Sequence, residues 1–268
     1  PQDTHHPFPA HRPIGPVPVL ALLLGVPEAL APDLLRWSSA MVAMYQAGRT
    51  RAIEDAANTA ATEFADFLRT YIDQRRMTPG DDLITELIAA QDAGGRLSPD
   101  EMIGTMILLL NAGHEATVHS LGNAVKCIVE TGTTHALGPD SIENTVEELL
   151  RFTTPLHMFT RYAYDTIELG TLTLNPGEEI ALMLGAAGRD PAVFADPHLF
   201  NPARQKPTHL AFGGGLHFCV GAPLARLEMQ IALPALFDAL PNLKIVQEPK
   251  FSDSYHFHKL DELMVHTS

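Results

Sequence analysis

The sequence predicts a mainly α-helical fold with a minor β region. Apolar residues recur every three to four positions over long stretches, and helix start and stop signals bracket those stretches. Only from Thr160 to Leu184 does the period fall to two. With 268 residues, 46% of them hydrophobic, the chain can bury a substantial core. A net charge of −14 repels a phosphate backbone, and no Lys/Arg cluster offsets it, so no nucleic-acid partner is expected. Cys127 and Cys219 lie in segments of different character, which gives neither a disulfide framework nor a zinc-knuckle spacing and fits a reducing cytoplasm. The longest apolar stretches, Val17 to Val26 and Met106 to Leu110, fall short of the ~20 residues that a membrane span requires, so no membrane partner is expected. No secretion signal opens the chain, and Pro1 in place of an initiator methionine suggests that sequence is missing upstream.

In chain order, residues 1–18 hold six prolines and read as an irregular lead-in, with a single domain over 19–268. Ala60, Phe64, Phe67, Leu68 and Tyr71 mark an amphipathic helix between Arg51 and Arg76. Thr78-Pro79-Gly80-Asp81 breaks it and supplies a cap for a short helix through Leu83, Ile84, Leu87 and Ile88. Ser98, Pro99 and Glu101 form an S-x-x-E start signal with proline at the first helical position. A long, central helix should follow, from Met102 to near Gly132 and ~45 Å long at 1.5 Å per residue. A second capped helix runs from Ser141 to Phe152 and ends before Pro155. The runs Ile167 to Leu169, Thr171 to Leu174 and Ile180 to Leu184, broken by Gly170 and Asn175-Pro176-Gly177, suggest a small sheet of short strands. A last helix opens at Pro223 and halts at Pro241.

The most informative segment is Phe212-Gly213-Gly214-Gly215-Leu216-His217-Phe218-Cys219-Val220-Gly221. A lone cysteine lies between a glycine-rich turn and the first turn of a helix, where free N–H groups and the positive helix end stabilise a thiolate. Such a sulfur suits an anionic metal ligand, and the glycines let backbone approach a flat cofactor. Taken alone, the segment equally fits a buried cysteine in a glycine loop.

Three further segments accompany it: Ala112-Gly113-His114-Glu115-Ala116-Thr117 in the long helix, Glu148-Leu149-Leu150-Arg151, and Thr160-Arg161-Tyr162-Ala163. In this order, and with Ala222-Pro223-Leu224-Ala225-Arg226 after the cysteine loop, they resemble the cytochrome P450 family of soluble bacterial type, from roughly Val17 to the end. The resemblance implies a cytochrome P450 fold lacking its N-terminal portion, with haem b lying between the long helix and the cysteine loop. It makes Cys219 the iron ligand, with Phe212 packed beside the sulfur and Gly213 and Gly221 shaping the loop. His217 and Arg161 would reach haem propionates, and Glu148, Arg151 and Arg204 look like the buried ionic cluster that supports the loop. Ala112 and Gly113 would let the long helix pass close over the haem, while Glu115 could feed protons inward.

The resemblance further implies a monooxygenase that inserts one atom of O2 into a small, largely apolar substrate. Electrons would come from a separate ferredoxin or flavoprotein, since Gly213 to Gly215 do not fit a dinucleotide fingerprint. Pro155 to Phe159, Leu108, Ala112, His256 and Phe257 are candidate substrate contacts by position. One departure stands out: the family usually places threonine directly after the acid, where this chain has Ala116, with the hydroxyl one residue later at Thr117. Neighbours on a helix diverge by about 100°, so Thr117 should not point where the usual hydroxyl does. That departure leaves room for a non-catalytic, gas-binding or regulatory haem-thiolate protein. A zinc hydrolase is disfavoured, because His114 and His119 are five apart and rotated by about 140° from each other, where H-E-x-x-H needs four. His5, His6, His256 and His258 read as loop or strand histidines.

Overall fold

A computed structural model describes residues 4–5, 16–46, 48–95, 97–205, 208–254 and 256–267. The chain divides into two compact units, residues 8–118 and residues 119–268 together with 1–7.

In the first unit, α1 (Pro16–Leu24) buries Val17, Leu20, Ala21 and Leu24. The irregular lead-in expected to Pro18 therefore ends earlier: Pro16 and Pro18 fall in the first turn, where no amide needs an intrahelical acceptor. A further helix not read from the sequence, α2 (Ala31–Val42), carries Pro32 in its first turn in the same way and buries Leu34, Trp37 and Val42. The Thr50 hydroxyl caps α3 (Arg51–Met77), whose buried Ala57, Ala60, Phe64, Leu68 and Ile72 keep helical spacing. The Trp37 ring stacks on Phe64 at 4.9 Å, and its indole N–H donates to Glu63 at 2.8 Å. The cap of α4 (Leu83–Asp92) is Asp82, which accepts from the Thr85 amide at 2.9 Å, and not the Thr78 to Asp81 segment. Asp82 is the residue whose own backbone is extended, as an N-cap requires.

The start signal at Ser98 forms as a reciprocal box. The Ser98 amide donates to Glu101 at 2.8 Å and the Glu101 amide to the Ser98 hydroxyl at 3.3 Å. It opens α5 (Pro99–Thr131), whose 33 residues span about 50 Å and pass from the first unit into the second at Val118 and His119.

In the second unit, α6 (Ile142–Phe152) follows Ser141, whose hydroxyl donates to the Gly138 carbonyl instead of capping, a correction to the expected cap. The expected single sheet is two separate ladders. β2 (Met158–Tyr162) pairs antiparallel with β5 (Glu179–Met183), while β3 (Ile167–Leu169) turns through Gly170 at φ +60° to pair only with β4 (Leu172–Leu174). A local turn closes the inner hairpin on itself, so the two ladders do not merge. Beyond α7 (Leu184–Ala187) comes the cysteine loop and then α8 (Ala222–Ala239), which carries Pro223 in its first turn as expected. A third sheet, unread from the sequence, joins β1 (Thr4–His5), β6 (Lys244–Ile245) and β7 (Val265–His266) in the order β1-β7-β6. Val125, Ile128, Val146, Leu149, Met229 and Leu233 are buried in this unit. Among the described residues no helix is long and apolar enough to cross a membrane.

Candidate functional site

The cysteine loop is a closed backbone ring. The Cys219 amide donates to the Phe212 carbonyl at 3.0 Å, and the Gly213 and Phe218 amides are taken by Leu210 and Gly215 at 2.8 and 3.1 Å. Gly213 at φ +71° and Gly215 at φ +64° occupy the left-handed region that a side chain would strain. Among the described residues the amides of Val220 and Gly221 meet no carbonyl, which leaves two donors beside the sulfur at the start of α8. Cys219 is half-buried, and a Cβ at Gly221 would stand 3.8 Å from its sulfur, so Gly221 keeps that side of the thiol open. Cys127 differs in kind. It is buried on α5, and burial, reinforced by Glu130, pushes its thiol up to about 12, so it stays protonated.

Two neighbouring carboxylates on α6 hold the surrounding chain. Glu148 is fully buried and takes both Nε and Nη2 of Arg151 at 2.8 Å. It also accepts from Arg204 Nε at 3.1 Å and from the Asn201 amide at 2.9 Å. Arg151 spends its remaining donors on the carbonyls of Gly188, Pro197 and Leu199. The pair is therefore buried and satisfied, not a solvated surface pair. Its hydrogen-bond partners beyond α6 named above lie in 188–204, so it braces the segment before the cysteine loop.

The contact with the loop's flanks belongs to Glu147. Its Oε1 receives Arg226 Nε at 2.5 Å and its Oε2 receives Arg226 Nη2 at 3.0 Å and His209 Nε2 at 3.1 Å. Burial pushes this carboxyl up, but the hydrogen bonds from His209 and Arg226 outweigh it and hold Glu147 down at about 2. Arg226 also lies over the Phe212 ring at 4.7 Å. Sequence reasoning missed Glu147 and His209, whose signal was an acid beside the E-x-x-R glutamate and a histidine three residues before Phe212.

A family model described as cytochrome P450 matches residues 141–258, which include Glu147, Glu148 and the whole cysteine loop. The biotin biosynthesis cytochrome P450 of Bacillus subtilis is 35% identical over 251 residues, covering 92% of this chain and 63% of that protein. The 6-deoxyerythronolide B hydroxylase of Saccharopolyspora erythraea is 39% identical over 234 residues, covering 86% and 57%. The solved structure of CYP109E1 from Bacillus megaterium with testosterone superposes with a TM-score of 0.86 at 32% identity, covering 94% of this chain and 68% of that one. The chain belongs to the cytochrome P450 family. It spans less than two thirds of the length of those two curated relatives.

The residues of this P450 chain fit a thiolate-held prosthetic group. A half-buried cysteine sulfur with two amides beside it suits the thiolate ligand of a macrocycle-bound iron. Leu216, 96% exposed, and Phe218 give the loop that carries Cys219 an exposed apolar surface. Arg161 on β2 is exposed and donates to the Thr160 carbonyl at 2.7 Å, and His217 is exposed on the loop; among the described residues no hydrogen bond joins them. Both are cationic or polar groups suited to carboxylates.

In the first unit, α5 separates the oxygen-side candidates by face. Leu108, 62% exposed, shares one face with exposed Ala112 and half-buried Ala116. Thr117 turns instead to the buried side with His114, whose Nδ1 meets the buried Ser38 hydroxyl at 3.5 Å. Glu115 is half-buried. Gly113 faces α1, where a Cβ would stand 2.9 Å from Leu20 Cδ2, so its small size also makes room for that helix. In the second unit the candidate substrate segments meet. The His157 amide donates to the His256 carbonyl and the His258 amide to the Pro155 carbonyl, both at 2.8 Å, while Leu156 bridges Phe257. His5 lies on β1, and His6 is outside the described residues.

Proposed function

We propose that this chain is the haem-carrying part of a monooxygenase that inserts one oxygen atom from O2 into a small, largely apolar organic molecule. The observation that carries this reading is the closed ring around Cys219 with the unengaged amides of Val220 and Gly221 beside it. When bound, haem b supplies one-electron chemistry and O2 cleavage, with the thiolate as electron-donating ligand. The chain supplies the rest. Cys219 grips the iron, and the two amides temper the sulfur's charge. Phe212 shields it, while Gly213 and Gly221 leave room for the macrocycle. His217 and Arg161 take the propionates. Ala112 and Gly113 belong to the oxygen-side segment, and Glu115 delivers protons there.

Ala116 offers no hydroxyl on the Leu108 and Ala112 face, and Thr117 is turned into the core, so the usual side-chain proton donor is missing. A water or a substrate hydroxyl takes its place; otherwise reducing equivalents leak to peroxide. A separate ferredoxin or flavoprotein supplies electrons, and the cytoplasm is the compartment that fits. Relatives named for biotin biosynthesis and for 6-deoxyerythronolide B hydroxylation support oxidation of a carbon-rich substrate. The same absence of a hydroxyl at 116 favours a second reading, a gas-binding or regulatory haem-thiolate protein.

Turnover with electron donors, scored as product per NAD(P)H, separates the two. Oxygenated product is expected, and Ala116→Thr should raise the product yield per NAD(P)H. No product from any carbon substrate, with stable O2 or CO binding, would favour the regulatory reading.

A further inference from the structure

Arg226 is set against the cysteine loop in a way that the E-x-x-R cluster does not explain. Its guanidinium covers Phe212 at 4.7 Å, the residue whose carbonyl holds the Cys219 amide. Left alone, a cation here would draw electron density from the sulfur. It is not left alone. Glu147 takes it in a bidentate pair, with 17% of the Glu147 side chain and 30% of the Arg226 side chain exposed. The third hydrogen bond to Glu147 comes from His209, whose side chain is only 2% exposed. His209 Nδ1 accepts the Ala211 amide at 3.2 Å, which fixes the proton on Nε2 and makes the ring a donor to Glu147 even when neutral. One carboxylate thus ties together the segment entering the loop, the helix leaving it and α6.

We infer that Glu147 is a positioning residue which, by neutralising Arg226 and anchoring His209, sets the charge felt by the Cys219 thiolate and hence the reduction potential of the metal it holds. The inference rests on the haem-thiolate reading of Cys219. Its sign is fixed. Reduction adds negative charge at the metal, so an uncompensated Arg226 favours the reduced form and raises the potential.

The test is a double-mutant cycle on the haem-loaded chain, read as the ferric/ferrous midpoint by spectroelectrochemistry and as the position of the ferrous carbonyl band. Glu147→Gln keeps the shape and removes the charge; it should raise the midpoint by roughly a tenfold change in the equilibrium, ~59 mV for one electron. Glu147→Asp should restore much of the wild-type value. Glu147→Gln with Arg226→Gln, neutral again, should return towards wild type although it has lost the ion pair. A merely structural brace would make the double variant at least as perturbed as the single one, and that result, or an unmoved midpoint in Glu147→Gln, overturns the inference. Failure of the underlying reading looks different: the wild-type chain itself then gives no thiolate-type carbonyl band, and both ideas fall together.

Discussion

Adjacent side chains do unlike work in this chain because a helix turns about 100° per residue. Glu147 and Glu148 stand side by side on α6, yet one holds the cysteine loop's flanks and the other the 188–204 segment. Thr117 and Ala116 part in the same way, the hydroxyl going into the core. Arg151 is the most committed of these residues, bonded to Glu148, Gly188, Pro197 and Leu199 with almost no exposure. Arg151→Ala leaves the buried Glu148 charge to Arg204 and one amide and frees the carbonyls of Gly188, Pro197 and Leu199, and urea unfolding should show a loss of about 3–5 kcal/mol; a loss below ~1 kcal/mol would mean that the pair is not desolvated. His258 gives a pH signature. Burial, then His157, drive its imidazole down to about 4 from 6.5 while it stacks on Phe251 at 4.1 Å. It is neutral in the fold, so the unfolded chain takes up its proton first. Its contribution is complete above pH 6.5 and is lost as pH falls towards 4. Unfolding midpoints measured across that window should fall less steeply in His258→Gln, and identical slopes would refute the assignment.

At the scale of elements, what could be read from the sequence was what is local. The Ser98 box, the glycine-rich loop and the start of α8 after Gly221 depend on residues a few positions apart, and all of them form. Ser98→Ala should lower stability by ~1 kcal/mol in thermal or urea unfolding, with the loss tracking α5 amide exchange near its first turn; unchanged exchange there would show that the cap is idle. Prolines misled where their position was not weighed: Pro16, Pro18 and Pro32 open helices that a count of breakers concealed. Pairings over distance were illegible. Glu147 meets His209 and Arg226 from 62 and 79 residues away, and nothing in local spacing announces that. The two ladders looked like one sheet for the same reason, since alternation reports a face and not a partner.

For the whole molecule, the order of four motifs along the chain identified the family where each motif alone had an ordinary explanation. The Glu-Arg pair alone could have been a surface pair, and Gly113 alone could be explained by its packing against α1. The construction around Cys219, a closed ring, two amides that meet no carbonyl among the described residues and a neutralised cation, is what the proposed anionic sulfur ligand calls for. The most direct measurement is therefore the carbon monoxide difference spectrum of the reduced, haem-loaded chain beside its Cys219→Ala variant. A thiolate-type ferrous carbonyl band in the wild type that vanishes in the variant is the expected result; a band typical of imidazole ligation in the wild type, or the same spectrum in both, contradicts it.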